Sequence, residues 1–339
     1  MARRGSHRTR AAVIRWAVVL LLVGCGLAAC SSSPSPDRPP PLPRFGPARD
    51  VYDGDFGDPD VIRAGPTYVL FGTDDPPDHI PTATSTDLTT WAHGPDAVPV
   101  LPAWADPDGG DRLTWAPAAA VVRGRYLLYV SVQDAAMHRQ CIAVLASKSA
   151  LGPYRDARGS PLVCQVSLGG SIDPSVVSAG GRLHLVWKSD GNCCGLAASL
   201  WEADLSADGV AMTGVAHRLL TADEPWQGGI VENPALLPAP RGWWLFYSGN
   251  RFDVAAYATG LAWCPTLEGP CHETSDAAFL AGAALTAGQY SPGGLDFVRD
   301  RSGRLWGAFA TWNRPARNGR FFCCRSLDLA PVVSGARSG

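Results

Sequence analysis

The chain has 339 residues, of which 46% are hydrophobic and 18% are charged, and this composition excludes collagenous, disordered and coiled-coil proteins. The formal net charge is −2, but residues 1–29 contain five arginines and no acidic residue, so the remaining chain has a net charge of −7. Such an acidic domain lacks the basic surface that nucleic acids require, and we expect no nucleic-acid partner.

The first 29 residues have the pattern of a secretory signal peptide. Four arginines between positions 3 and 10 precede an apolar stretch that is short for a membrane-spanning helix, which is the alternative interpretation. The tetrapeptide LAAC at 27–30 resembles the lipobox of bacterial lipoproteins, in which the signal is cut before a lipidated cysteine; an ordinary signal peptide is the other alternative. We predict that Cys30 is lipidated and that 30–48, rich in Ser and Pro, tethers the domain to the outer face of the membrane.

Eight cysteines remain beyond Cys30, and export makes disulfides the expected state of such residues. Cys264 and Cys271 are close enough in sequence to close a small loop, and Cys141 with Cys164 is a second candidate pair. The doublets at 193–194 and 323–324 either pair with each other or form bridges between neighbours. No cysteine or histidine spacing matches a zinc site, so we predict no metal ligands among them.

A recurring apolar strand is the most informative feature of the sequence. Each copy follows a second β-rich run and a Gly-containing turn, which is typical of a β-hairpin, and several are followed by a third strand-like piece. No long segment keeps an apolar period of 3.6 residues, so we expect little helix. The five copies begin 58, 57, 60 and 62 residues apart, at 68–73, 126–132, 183–189, 243–249 and 305–312.

Five units of about 60 residues, each with three or four short strands, predict an all-β, five-bladed β-propeller, because small sheets of this kind bury their faces only against their neighbours. We place the propeller at 49–330 and a C-terminal tail at 331–339. A pair of β-sandwiches is the alternative, but it would not require five equal periods.

Three acidic residues occupy one phase of the repeat, just before the first strand of a unit: Asp58, Asp173 and Glu232. In unit two we assign this phase to Trp115, and in unit five to Gly293 and Gly294. Innermost propeller strands begin around the central channel, so equal phase should bring the three acids together at one mouth. An Asp before Pro is often only a turn former. Clustered carboxylates, however, have separated pKa values, which acid/base chemistry requires.

The order and spacing of these segments resemble family 43 glycoside hydrolases across all five units. The resemblance implies a five-bladed propeller and an inverting enzyme such as an α-L-arabinofuranosidase, endo-arabinanase, β-xylosidase or galactanase. The segments that carry it include GDPDVIRAGPTYVLFGT, LTWAPAAAVVRGRYLLYVSV, GSIDPSVVSAGGRLHLVW, VENPALL, WWLFYSG, YATGLAW and SPGGLDFVRDRSGRLW.

By this resemblance Asp58 is the general base, Glu232 the general acid and Asp173 the residue that modulates the acid. The roles fit an inverting mechanism, in which one carboxylate activates water and a protonated carboxyl protonates the leaving oxygen, with roughly 6.5–9.5 Å between them. The negative charge of Asp173 is expected to keep Glu232 protonated. Asp60 lies two residues beyond Asp58 but is not part of the family motif.

Further candidates, for substrate binding, are aromatic and basic residues. Trp115 could stack on a pentose, Trp226 could line a subsite, and Arg251 with Asn250 could bind a hydroxyl; packing or a solvated loop end are the alternatives. No ligand or triad spacing is found at His79, His138, His184, His217 and His272.

The sequence also departs from the family pattern. Ala118 stands where an acidic residue is frequent, and Gly294, Leu295 and Asp296 occupy the stretch where many members have a histidine near the channel. This argues against a bound calcium ion, and we predict no cofactor. Two rival hypotheses remain: a non-catalytic carbohydrate-binding propeller, and a relative from the fructan- or arabinoxylan-acting propeller families. In each case we expect a monomer with a glycan partner.

Overall fold

The computed structural model describes residues 1–2, 39–52, 54–106, 114–282, 285, 288–322 and 324–333. The chain separates into two units, 1–38 and 39–339. The predicted signal peptide, Cys30 and the start of the tether lie outside the described residues. Within the described part the structure is almost entirely β-sheet, with three short 3-10 helices at Val166–Leu168, Gly191–Cys194 and Pro225–Gln227. No helix of that part is long and apolar enough to span a membrane.

The strands form five antiparallel sheets, one for each predicted repeat, and the prediction of a five-bladed propeller is confirmed. Blade I contains β3 (Asp60–Ala64), β4 (Thr67–Phe71), β5 (Thr82–Ser85) and β6 (Trp91–His93); blade II contains β7 (Thr114–Val122), β8 (Arg125–Asp134), β9 (Arg139–Ser147) and β10 (Arg155–Asp156); blade III contains β11 (Ser171–Ala179), β12 (Arg182–Ser189), β13 (Ser199–Asp204) and β14 (His217–Thr221). Blade IV contains β15 (Val231–Pro238), β16 (Trp243–Gly249), β17 (Ala258–Cys264) and β18 (His272–Glu273); blade V contains β19 (Tyr290–Arg299), β20 (Leu305–Trp312) and β21 (Arg325–Val333), with β1 (Arg44–Phe45) and β2 (Arg49–Tyr52) paired to β21.

The N-terminal segment closes the ring. Strands β1 and β2 both pair antiparallel with β21, so the outer edge of blade V comes from the opposite end of the propeller sequence. Pairing therefore extends beyond the predicted propeller bounds of 49–330, since β1 precedes them and β21 continues to Val333. Closure of this kind removes an exposed sheet edge and joins the first blade to the last.

The core consists of five apolar clusters, each lying between two adjacent blades. Between blades I and II, for example, Val69 and Phe71 pack with Leu128 and Val130, all fully buried or nearly so. The same arrangement recurs at each of the other four junctions, including the junction of blades V and I. The repeat thus buries its apolar strands only against neighbouring blades, which is the physical reason for the period in the sequence.

Two predicted disulfides are present, Cys141–Cys164 and Cys264–Cys271. The two alternatives for the first doublet are resolved in favour of a bridge between neighbours, Cys193–Cys194. Cys324 is also disulfide-bonded.

In every blade, a residue that has positive φ and directly precedes a proline lies in the inner strand or just before it. In blades II to V the strand pairing shifts register around this dipeptide, as at a β-bulge. We call these the pre-proline positions: Asp58 (φ 48°), Ala116 (46°), Asp173 (54°), Asn233 (49°) and Ser291 (50°).

This pattern corrects the predicted phase in three blades. The residues equivalent to Asp58 and Asp173 are Ala116, Asn233 and Ser291, whereas Trp115 and Glu232 lie one residue earlier and Gly293–Gly294 two to three residues later. Glu232 therefore directly precedes the pre-proline position of blade IV, whereas Asp58 and Asp173 occupy the pre-proline positions of blades I and III.

Candidate active site

The three predicted catalytic acids lie together. Asp58, Asp173 and Glu232 line one cavity of about 450 Å³ at the end of the channel where the inner strands begin. We call it the mouth cavity. Its other lining residues are Thr73, Asp74, Trp115, Ile172, Lys188, Asp190, Asn192, Cys193, Asn233, Phe252 and Arg325.

Asp58 is held by hydrogen bonds to both of its carboxylate oxygens. Thr73 Oγ1 donates to Oδ2 at 2.6 Å, and Asn233 Nδ2 donates to Oδ1 at 2.9 Å. The Arg325 guanidinium lies 3.7 Å from Oδ2. The side chain nevertheless remains 21% exposed to the cavity. Asp58 is therefore fixed in orientation while it stays accessible to a water molecule.

Asp173 is buried behind this rim. Its Oδ2 accepts a hydrogen bond from the Asn233 backbone N–H at 3.0 Å, and its own N–H donates to Ser131 Oγ at 3.1 Å. Burial raises the pKa of Asp173 well above the usual range; Lys188 opposes this shift, while Glu232 and Asp58 add to it. Asp173 thus tends to retain a proton next to two other carboxyl groups.

Glu232 forms an ion pair with Lys188, whose Nζ lies 3.0 Å from Oε2. The ammonium is also 3.4 Å from Asp190 Oδ1, and its side chain is only 2% exposed. Burial alone would lower the pKa of Lys188, but the attraction of Glu232, Asp173 and Asp190 outweighs it and raises the pKa. A permanently charged lysine therefore stands beside the predicted general acid.

Lys188 replaces a hydroxyl residue in a pattern that other blades share. At the end of the second strand, or just beyond it, Thr73, Ser131 and Ser248 accept a backbone N–H from the following blade, at Ala116, Asp173 and Gly294 respectively. Between blades III and IV the Asp173 carboxylate accepts the backbone N–H of Asn233 instead, and Lys188 Nζ donates to Glu232. Lys188 was not a candidate from the sequence. Its position at the end of the third apolar strand could have identified it, because blades II and IV have serine there.

The predicted modulating role of Asp173 consequently depends on this lysine. Lys188 lowers the pKa of Asp173, whereas burial, Glu232 and Asp58 raise it. The lysine therefore affects the pH at which Asp173 carries the negative charge that its predicted role requires.

Aromatic and basic residues of blades IV and V close one side of the mouth cavity. Phe252 stacks on Trp312, which in turn stacks on Phe321 with ring centroids 5.2 Å apart. The Arg325 guanidinium lies 5.8 Å from the rings of both Phe252 and Trp312. Phe252 is 50% exposed, so it offers an apolar face to a ligand. Neither Phe252 nor Arg325 was a candidate from the sequence.

The predicted substrate-binding residues do not all lie at the cavity. Trp115 lines the mouth cavity, and its stacking on a sugar stays a prediction. Trp226 does not line it, and packs instead against Tyr247 with ring centroids 5.9 Å apart. Arg251 is likewise absent from its lining and is paired with Asp253 at 3.0 Å, while Asn250 donates to the Trp226 carbonyl. The loop position next to Arg251 that does reach the cavity is Phe252.

Asp60 lies in the central channel, below the mouth cavity, opposite Asp296. Burial and the neighbouring Asp296 raise the pKa of Asp60 well above the usual range, and burial raises the pKa of Asp296 to about 6. The two carboxyls hydrogen-bond to each other, which requires one proton between them. Gly294 has positive φ, and a Cβ there would lie 3.0 Å from the Asp58 Cα, so the chain approaches Asp58 closely at this position.

A second group of metal-ligand type lies away from the site. His184 Nδ1 is 2.8 Å from Glu202 Oε1 and 3.0 Å from Asp204 Oδ1. The spacing of residues in the sequence did not indicate this group, because His184 and the two carboxylates lie on adjacent strands. Asp204 also pairs with Arg182, so the carboxylates are already neutralised by protein groups.

Fold and site together define a glycoside hydrolase built on a five-bladed propeller. The sequence profile of the glycosyl hydrolases family 43 matches residues 48–333, which contain all five blades apart from β1. The chain therefore belongs to glycosyl hydrolase family 43, and the resemblance stated from the sequence is confirmed.

Solved structures agree with this assignment at the level of the fold. A thermostable family-43 glycoside hydrolase superimposes with a TM-score of 0.70 at 20% identity, covering 85% of this chain and 95% of the other. An endo-1,4-β-xylanase from Bacteroides thetaiotaomicron gives 0.65 at 22% identity, covering 81% and 90%. An endo-arabinase from the same organism gives 0.65 at 16% identity, covering 86% and 98%. No curated protein sequence matches the chain significantly.

Proposed function

We propose that the protein is an inverting glycoside hydrolase that cleaves arabinose- or xylose-containing glycans, with α-L-arabinofuranosidase/arabinanase or β-xylosidase activity. The observation that carries the proposal is the meeting of Asp58, Asp173 and Glu232 in one cavity large enough for sugar residues. The xylanase and arabinase named among the similar structures support this substrate range.

Asp58 is the general base in this proposal. Thr73 and Asn233 orient its carboxylate, the Arg325 guanidinium lies 3.7 Å away, and in this role the carboxylate takes a proton from water. The activated water then attacks the anomeric carbon on the face opposite to the leaving group, and this inverts the configuration.

Glu232 is the general acid and donates a proton to the leaving oxygen. Lys188 forms an ion pair with Glu232, and the nearby Asp173 interacts with it electrostatically. The Asn233 backbone N–H and side chain contact Asp173 and Asp58 respectively, so this residue fixes the base and the modulating carboxyl relative to each other. Trp115 and Phe252 supply apolar faces for the sugar.

The test is hydrolysis of aryl arabinofuranosides, aryl xylosides and arabinan by the purified protein and by Glu232→Gln and Asp58→Asn. We expect both variants to lose more than about 10³-fold in kcat while they remain folded, and the first-formed sugar to have inverted configuration by NMR. Product of retained configuration contradicts the mechanism. Glycan binding by calorimetry without turnover would favour the alternative, a carbohydrate-binding propeller, to which the altered fifth unit points.

We also propose that the protein is exported and held at the outer face of the membrane through a lipid on Cys30. The arginine-rich start, the apolar stretch and the LAAC tetrapeptide support this proposal. Cys30→Ala should abolish incorporation of a labelled fatty acid and shift the protein from the membrane fraction. Equal labelling of this variant and the unaltered chain would contradict lipidation at Cys30.

A further inference from the structure

A disulfide between neighbouring residues stands at the wall of the mouth cavity. The loop at 190–197 follows β12, and its residues 192–197 are exposed. Within it Cys193 and Cys194 are bonded to each other, and Cys193 lines the cavity together with Asn192 and Asp190. The three acids of the cavity have roles in the proposed reaction, but this bridge has none.

Stabilisation of the fold does not explain the bridge. A disulfide stabilises mainly by closing a loop of the unfolded chain, and a bond between adjacent residues closes almost none. The other two described pairs differ, since Cys141–Cys164 and Cys264–Cys271 span 23 and 7 positions and their cysteines are largely buried. Cys193–Cys194 is instead exposed beside the cavity, where its polarizable, weakly hydrated sulfur atoms can be covered by a ligand.

Contacts of Lys188 connect the loop that carries the bridge to Glu232. Glu232 is 3.0 Å from Lys188, and Lys188 is 3.4 Å from Asp190, which begins the loop three residues before Cys193. The loop is therefore connected to the residue that protonates the leaving oxygen in the proposed function. A sugar attached through that oxygen lies on the Glu232 side.

We propose that the Cys193–Cys194 disulfide is a platform for the leaving-group sugar of the substrate. The bridge presents a rigid apolar edge to the C–H face of the ring, and exposed Asn192 beside it offers a hydrogen bond to a hydroxyl. This inference rests on the proposed function and extends it, because it assigns a binding role on the leaving-group side of the bond.

The test compares two substrates of the same glycone in the purified full chain: an oligosaccharide, and the glycosyl fluoride, whose leaving group has no ring to contact the disulfide. Cys193→Ala/Cys194→Ala is the test variant. Leu196→Ala, on the same loop but outside the cavity lining, is the control. We expect kcat/KM for the oligosaccharide to fall about fivefold to tenfold through KM, the amount that loss of a few tens of Å² of apolar contact predicts, with the fluoride unchanged.

Equal changes for the two substrates, or no change for either, would overturn the platform. If the double variant does not fold, limited dithiol reduction of the unaltered protein replaces it. Peptide mapping of the alkylated thiols then selects conditions in which Cys193 and Cys194 are modified and the other bonded cysteines are not. The same split between substrates is then expected, and its absence again overturns the platform. Failure of the unaltered protein to hydrolyse either substrate would refute the proposed function itself, and the platform with it.

Discussion

Replacement of Lys188 by methionine should move the pH dependence of hydrolysis in a direction that the structure fixes. At 3.0 Å from Glu232, the Lys188 ammonium attracts a carboxylate by about 5.5 kcal/mol at an effective dielectric constant near 20. The same ammonium lowers the pKa of Asp173, which burial raises, so removal of the ammonium raises the pKa of Asp173 further. The acidic cluster then keeps its proton to higher pH, so the alkaline limb of kcat/KM should move to higher pH.

The assay is kcat/KM for an aryl glycoside between pH 4 and 10. The protein has one other lysine, the exposed Lys148, and Lys148→Met is the matched control, with an unchanged profile expected. Thermal unfolding verifies that Lys188→Met is folded, and Lys188→Gln serves as a second neutral variant. An alkaline limb that stays in place or moves to lower pH in the folded neutral variants would refute the reasoning, because it would show that Lys188 does not govern proton binding by the acidic cluster.

Two further predictions concern the fold. For Asp296, whose pKa is raised to about 6 by burial, the folded state binds the proton more tightly than the unfolded state, so its contribution to stability is present below about pH 4 and is lost as pH rises through 6. Asp296→Asn should therefore raise the free energy of unfolding at pH 8 by about 3 kcal/mol relative to the unaltered protein, with little difference at pH 4. Denaturant titration at both pH values measures this, and an equal effect at both would be inconsistent with it. Phe45 of β1 packs edge-on against Phe246 and Phe279 of blade IV, so Phe45→Ala should lower the unfolding midpoint by about 5 °C. Leu42→Ala, at an exposed position, should leave the midpoint unchanged in calorimetry, and equal midpoints for the two variants would show that the segment is only a tether.

The repeat was readable from sequence because its cause is local. Each blade needs an apolar second strand that packs on both neighbours, so segments such as 68–73 and 243–249 recur with nearly constant spacing. The acids could be found for the same reason, since Asp58 and Asp173 occupy one position of the repeat before a proline. The phase of Glu232, in contrast, was misassigned by one residue, because a β-bulge changes which of two neighbouring side chains faces the channel and leaves no clear mark in composition.

The residues that only the tertiary structure revealed are those brought in by another blade or another loop. Lys188 acts on Glu232 across a sequence separation of 44, and Arg325 lies near Asp58 although 267 positions separate them. Trp226 and Arg251 have residue types suited to sugar binding, but packing against Tyr247 and pairing with Asp253 direct them elsewhere. The sequence by itself determined the number of blades, the family and the three acids, because these depend on period and on residue type. Which side chains surround the acids depended on the closing of the ring, because the closed ring brings five distant segments together at one mouth of the channel.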